Sequence, residues 1–287
     1  MKSADISAMV SRFRPALWPF IWAHALAGFI AAHGKEALGL DADSWLQGLV
    51  AGGHWAVLLG GSAAALTAAF NEECGMPSEE TLRTPHSSLD APHSALDTPH
   101  SVLGWLALAL LLIGLGSSPA LAWWYFDVYL IGVILVVAYA APPLQLSGLR
   151  IGGVAAQAFG YGALTFYSGY AASNDPAFRA EFSPLYLIGF ILLFVALRLA
   201  LKPPSAKWCA CLYWLFLAGA FGCLAAAELR LGNRLGTGLL IVPLAGWCVA
   251  GLRRDRGQPD EPPLSAAAGL GLCLATDAGV ALTSLLR

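Results

Sequence analysis

The chain reads as an all-α integral membrane protein, a bundle of nine transmembrane helices. Three observations predict this. Hydrophobic residues make up 57% of the 287 positions, with only 12% charged, about half the charged fraction of an ordinary soluble domain. Mean hydropathy is +0.65. Apolar runs recur at the ~20-residue length that a ~30 Å hydrocarbon core requires of a helix, and the short alternating segments of a β-barrel are missing.

The apolar runs fall at about 15–33, 49–70, 103–121, 123–141, 151–172, 184–201, 208–228, 235–252 and 264–285. The first follows Arg12 and Arg14 and lacks the pattern of a cleaved leader. The second, AGGHWAVLLGGSAAALTAAF, is rich in small residues that let helix backbones approach in lipid. Ser117-Ser118-Pro119 makes the tightest junction, between the third and fourth. The chain is expected to form one transmembrane domain over 1–287, with an expanded loop at about 71–102.

Basic residues orient it. With the N-terminus cytoplasmic, the cytoplasmic segments hold Arg12, Arg14, Arg83, Arg150, Arg198, Lys202, Lys207 and Arg253 to Arg256 among others. The opposite side holds only Lys35, Arg179, Arg230, Arg234 and Arg287. That asymmetry obeys the positive-inside rule. A net charge of −2 excludes nucleic-acid binding driven by bulk electrostatics. The six cysteines form no CxxC pair and read as small core residues.

Four stretches carry a resemblance: SRFRPALWPFIWAHALAG at 11–28, Asn71 at the end of the second run, RTPHSSL at 83–89 and AYAAPPLQLSGLR at 138–150. Together with the helix plan they resemble the UbiA superfamily of intramembrane prenyltransferases over most of the chain. The resemblance implies a nine-helix bundle that ionises an isoprenoid diphosphate held by Mg²⁺ on two Asp-rich motifs. A lipophilic acceptor is then alkylated. Carried over by position, the first motif, N-x-x-x-D-x-x-x-D, keeps Asn71, meets Gly75, and places Glu79 at its last acid. Asn71, Glu72 and Glu79 are thus the implied Mg²⁺ ligands. The second motif, expected at the end of the sixth helix, falls on VALRLALKPPSAKW, where Arg198 and Lys202 stand in place of acids. Those cations could grip a phosphate directly. Asn71, Arg83, Tyr139, Arg150, Arg198 and Lys202 are the implied substrate-binding residues.

The stretch TPHSSLDAPHSALDTPHSVLG at 84–104 is a tandem seven-residue repeat that lengthens the loop. Repetition alone accounts for the spacing of His86, His93 and His100, without a metal. Proline every seventh residue precludes one continuous helix. His24 and His54 either line a cavity or bond a neighbouring helix. Asp277, inside the ninth run, must face protein or water and pair with a cation or a backbone group. Asp127, after Trp-Trp-Tyr-Phe, belongs at the outer interface.

Three functions remain open. The leading one is a prenyltransferase acting on an isoprenoid diphosphate and a lipophilic acceptor. The alternative is a non-catalytic subunit of a membrane complex, binding a lipid, quinone or pigment and contacting a membrane-protein partner. The third is a terpene cyclase or a transporter, with His24 and Asp277 as relay groups.

Overall fold

The computed structural model describes residues 14–73, 100–141, 144–173, 182–201, 207–256 and 265–286. Among them helix dominates and no strand occurs, and each expected apolar run lies on a helical stretch. A 3-10 turn, Pro15–Leu17, leads into α1, Trp18–His33. Gly34, at φ 56°, ends α1 in a conformation that disfavours a side chain. Asp41 starts α2 (42–73) by accepting a 2.9 Å hydrogen bond from the Ser44 N–H. Next come α3, His100–Ser117, and α4, Trp123–Ala140. The junction between them is a 3-10 turn, Ser118–Ala120. Helix α5 spans 150–171, α6 Leu185–Ala200 and α7 Lys207–Arg230. Helix α8 is broken into Arg234–Leu239 and Ile241–Arg256. Pro243 explains the break, since it has no N–H for the Leu239 carbonyl. Helix α9, Ala266–Leu285, is capped by the Ser265 hydroxyl, which accepts from the Ala268 N–H at 3.2 Å.

Five stretches are long and apolar enough to cross a membrane: Ala42–Phe70, Val102–Ala120, Trp123–Ala140, Ala210–Arg230 and Ala267–Leu285. Leu185–Ala200 and Thr237–Arg253 are shorter apolar helices. Leu112, Ile113, Ile131, Ile134, Ile241 and Val242 are exposed. In water they would form a large apolar patch; in lipid they are ordinary surface. Trp105, near the start of α3, and Trp123 and Trp124, at the start of α4, are also exposed. They lie at opposite ends of two helices joined by a tight turn, where interfacial aromatic belts belong.

Helices adjacent in sequence pack side by side, and α1 closes the ring onto α9 while also lying against α2 and α5. The α1–α5 seam is backbone on backbone. A Cβ at Gly28 would lie 1.9 Å from the Phe166 carbonyl oxygen, and one at Gly169 would lie 1.6 Å from that of Ala25. Only glycine permits that approach. Helices α5 and α6 run antiparallel, fixed by ring pairs Tyr161–Phe194 at 5.9 Å, Phe166–Phe190 at 4.7 Å and Phe166–Tyr186 at 5.5 Å.

Two helices widen at mid-span. Trp55–Gly61 in α2 and Ala158–Leu164 in α5 are π-helical, a form that recurs at functional sites. They are tied together: the Trp55 indole N–H donates to the Thr165 hydroxyl at 3.0 Å, and that hydroxyl donates to the Gly160 carbonyl at 2.9 Å.

Candidate functional site

The α5–α6 pairing fixes a set of levels along the bundle. Tyr161 and Phe194 stack, so Gln157 and Arg198 lie one turn further toward the same end, about 6 Å on. There the Gln157 amide donates to the Tyr139 hydroxyl at 2.5 Å. The bond ties α5 to the last turn of α4, just before the Pro142-Pro143 connection. Arg198 occupies the last turn of α6 and is half-buried. Its Nε is buried, with no hydrogen-bond partner among the described residues. Arg14 lies within electrostatic range of Tyr161. This end of the bundle therefore gathers Arg14, Tyr139, Gln157, Tyr161 and Arg198.

Of the other residues singled out in the sequence, Asn71 and Glu72 lie in the last turn of α2 and Arg150 is the first residue of α5. Their side chains lie outside the described set. Arg83, Glu79, Lys202, His86, His93, Asp90 and Asp97 also fall outside the described residues. The end of α2 packs on α3 and α4, whereas α6 packs on α5 and α7. Asn71 and Arg198 are thus on separate parts of the ring. Among the described residues no three His, Cys, Asp or Glu side chains group to hold a metal.

Deeper in the bundle, His24 joins α1 to α9 and α5. Its Nδ1 lies 2.6 Å from Asp277 Oδ1, and its Nε2 lies 2.8 Å from the Gly162 carbonyl oxygen. A carbonyl only accepts, so Nε2 carries a hydrogen and the labile proton sits between Nδ1 and Oδ1. Both side chains are buried. Gly162 belongs to the π-helical turn of α5, so the widened turn presents the carbonyl that fixes the imidazole. Asp277 does pair with a cation-forming group, and its partner stands 253 positions away.

His54 has the structural role. Its Nδ1 lies 3.0 Å from the Tyr125 hydroxyl and its Nε2 2.8 Å from the Ser117 hydroxyl. Tyr125 in turn donates to the Ala51 carbonyl at 3.0 Å. These bonds pin α2, α3 and α4 at the end opposite Tyr139. Asp127 is exposed near the start of α4. The cysteines are not uniformly core: Cys273 is buried, Cys223 and Cys248 are half-buried, and Cys211 is exposed on α7.

Glu228 carries more than the sequence reading gave it. It is fully buried near the end of α7. The Tyr186 hydroxyl donates to Oε1 at 2.5 Å and the Thr283 hydroxyl lies 3.2 Å from the same oxygen. The Asn233 amide donates to Oε2 at 3.2 Å and also to the Thr283 carbonyl. Four helix ends are locked there. The available signal was an acid next to an apolar run, AAAELRLGN, which must be paired.

Together these features define a multi-pass α-helical membrane protein with a polar end and a buried ion-pairing site. Comparison with protein-family models, with curated proteins and with solved structures gives no match.

Proposed function

We propose that the chain is a UbiA-type nine-helix membrane protein. On this reading it binds an isoprenoid diphosphate at the Arg198 end and transfers the prenyl group to a lipophilic acceptor. Its N-terminus and the Arg198 end are cytoplasmic. The observation that carries the reading is Arg198: a buried Nε without a hydrogen-bond partner among the described residues, level with the Tyr139–Gln157 bond. A half-buried guanidinium that lacks an anion is costly, and a phosphate oxygen is the acceptor its fork suits. Arg14 adds a second positive charge at that end, and Tyr139, Gln157 and Tyr161 add hydrogen-bonding groups. Lys202, four residues beyond Arg198, is assigned to the same head group by its charge, and Arg83 and Arg150 by the resemblance.

By the resemblance, Asn71, Glu72 and Glu79 would supply oxygen donors, which suit Mg²⁺. When bound, that ion would stabilise the charge of the departing diphosphate. The chain's own residues hold the head group from the α6 side and keep water out with the rings of Tyr161 and Phe194.

A second reading is favoured by the same residue. Arg198 and Lys202 stand where the family has acids, which suits a non-catalytic subunit that binds a lipid, quinone or pigment in an inherited cavity. The experiment is the double substitution Arg198→Ala with Lys202→Ala in the purified protein, titrated with farnesyl diphosphate. Each lost charge-assisted bond is worth roughly 1.5–3 kcal/mol, so affinity should fall at least about tenfold. Unchanged affinity in a folded variant would place these cations against lipid phosphates and favour the subunit.

A further inference from the structure

We propose that the His24–Asp277 pair is a proton-binding site, loaded through Asp277 Oδ2. The two buried carboxylates among the described residues are built differently. Glu228 has donors on both oxygens, from Tyr186, Thr283 and Asn233. Asp277 has one oxygen on His24, and its Oδ2 is buried with no hydrogen-bond partner among the described residues. Asp277 is only 4% exposed. A carboxylate that serves packing alone is satisfied all round, as Glu228 is; an ionisable group left open inside a membrane marks an ion or proton path.

The surroundings fit that assignment on every side. From α1, Phe20 stacks on the imidazole at 5.9 Å. From α5 come the Gly162 carbonyl and the Phe166 ring at 5.7 Å. From α6 comes Phe190 at 4.5 Å. On α9, Cys273 sits one turn before Asp277, whose charge acts on the thiol. Thr276 is occupied by the Trp247 indole and the Leu272 carbonyl. Apart from the pair itself, Cys273 is the titratable group facing it among the described residues, and no fixed charge does. Three rings within about 6 Å enclose the imidazole. With one labile proton shared between Nδ1 and Oδ1, the pair starts net neutral. One arriving proton forms an O–H bond at Oδ2, without displacing the Nδ1–Oδ1 contact, and raises the net charge by one. Release reverses the step, and no other atom or electron is transferred.

The test is infrared difference spectroscopy of the purified protein during pH titration. A protonated-carboxyl C=O band should grow as pH falls, vanish in Asp277→Asn and persist in Glu228→Gln. Labelling with [4-¹³C]aspartate should shift the same band in the unaltered chain, a readout that does not depend on a variant folding. Absence of a ¹³C-sensitive carboxyl band in the unaltered protein, or its persistence in Asp277→Asn, would overturn the proposal and leave the pair as a structural tie.

Discussion

Gly169→Ala tests the α1–α5 seam directly. The added methyl carbon would sit 1.6 Å from the Ala25 carbonyl oxygen, 2.6 Å from its carbon and 2.9 Å from the Phe29 nitrogen. All three are backbone atoms of α1, so no rotamer change relieves the clash. Ordinary contact begins near 3.4 Å, so the helices must separate by about 1.8 Å. That movement would also stretch the 2.8 Å contact from His24 to Gly162, two turns away along α5. Overpacking typically costs about 1–3 kcal/mol, and a rigid backbone clash belongs at or above the top of that range. Gly222→Ala is the comparison: it lies on an exposed face of α7 with nothing within 4 Å of the added carbon. That change should be neutral or gain up to about 1 kcal/mol. Thermal unfolding of both variants in one detergent reads the difference, expected as several degrees lower for Gly169→Ala. Equal midpoints would refute backbone contact between α1 and α5.

Glu228→Ala removes the carboxylate that accepts from Tyr186 and Asn233 and should cost about 3 kcal/mol. Glu228→Gln, which keeps both acceptor and size, should cost clearly less in the same unfolding assay. Single cysteines placed at Ser88 and Ala177 in a cysteine-free background should react with an impermeant maleimide from opposite sides of a sealed membrane. Labelling from one side would break the expected topology. The Ser44 hydroxyl, then its N–H, hold the Asp41 carboxyl below the usual carboxylate value. The cap is therefore in force above the ordinary carboxylate pKa and is lost as pH falls through the lowered folded value. A carboxyl-carbon NMR titration of Asp41 should have its midpoint below about 3.9, and Ser44→Ala should raise it.

The helix plan was legible because membrane burial writes length and apolarity into each segment separately. Proline and serine at 117–119 located the turn between α3 and α4, and Pro142-Pro143 follows the end of α4. The cost of Asp277 in lipid was also legible, but its partner was not. Hydrophobicity says that an acid must be paired, whereas the pairing with His24 follows from α1 closing the ring on α9. The π-helical turns left no mark either. Trp55–Gly61 and Ala158–Leu164 are apolar and glycine-bearing like their neighbours, and a run apolar all round has no periodic face from which an extra residue could be counted. Glu228 sits beside the end of a run, where an acid reads as interfacial; its burial depends on α6, α8 and α9 converging there.

The widened turns of α2 and α5 also set where this chain tolerates losing a residue. A π turn holds one residue more than an α turn. Removing one position within 55–61, other than Trp55 itself, therefore lets α2 relax to a regular helix with both flanking faces still aimed at their neighbours. The same deletion one or two turns away would rotate everything beyond it by about 100°. Because the Trp55 indole spans to Thr165, a shortening of α2 would be felt in α5. A single deletion in either wide turn is thus expected to register in both helices through that bond.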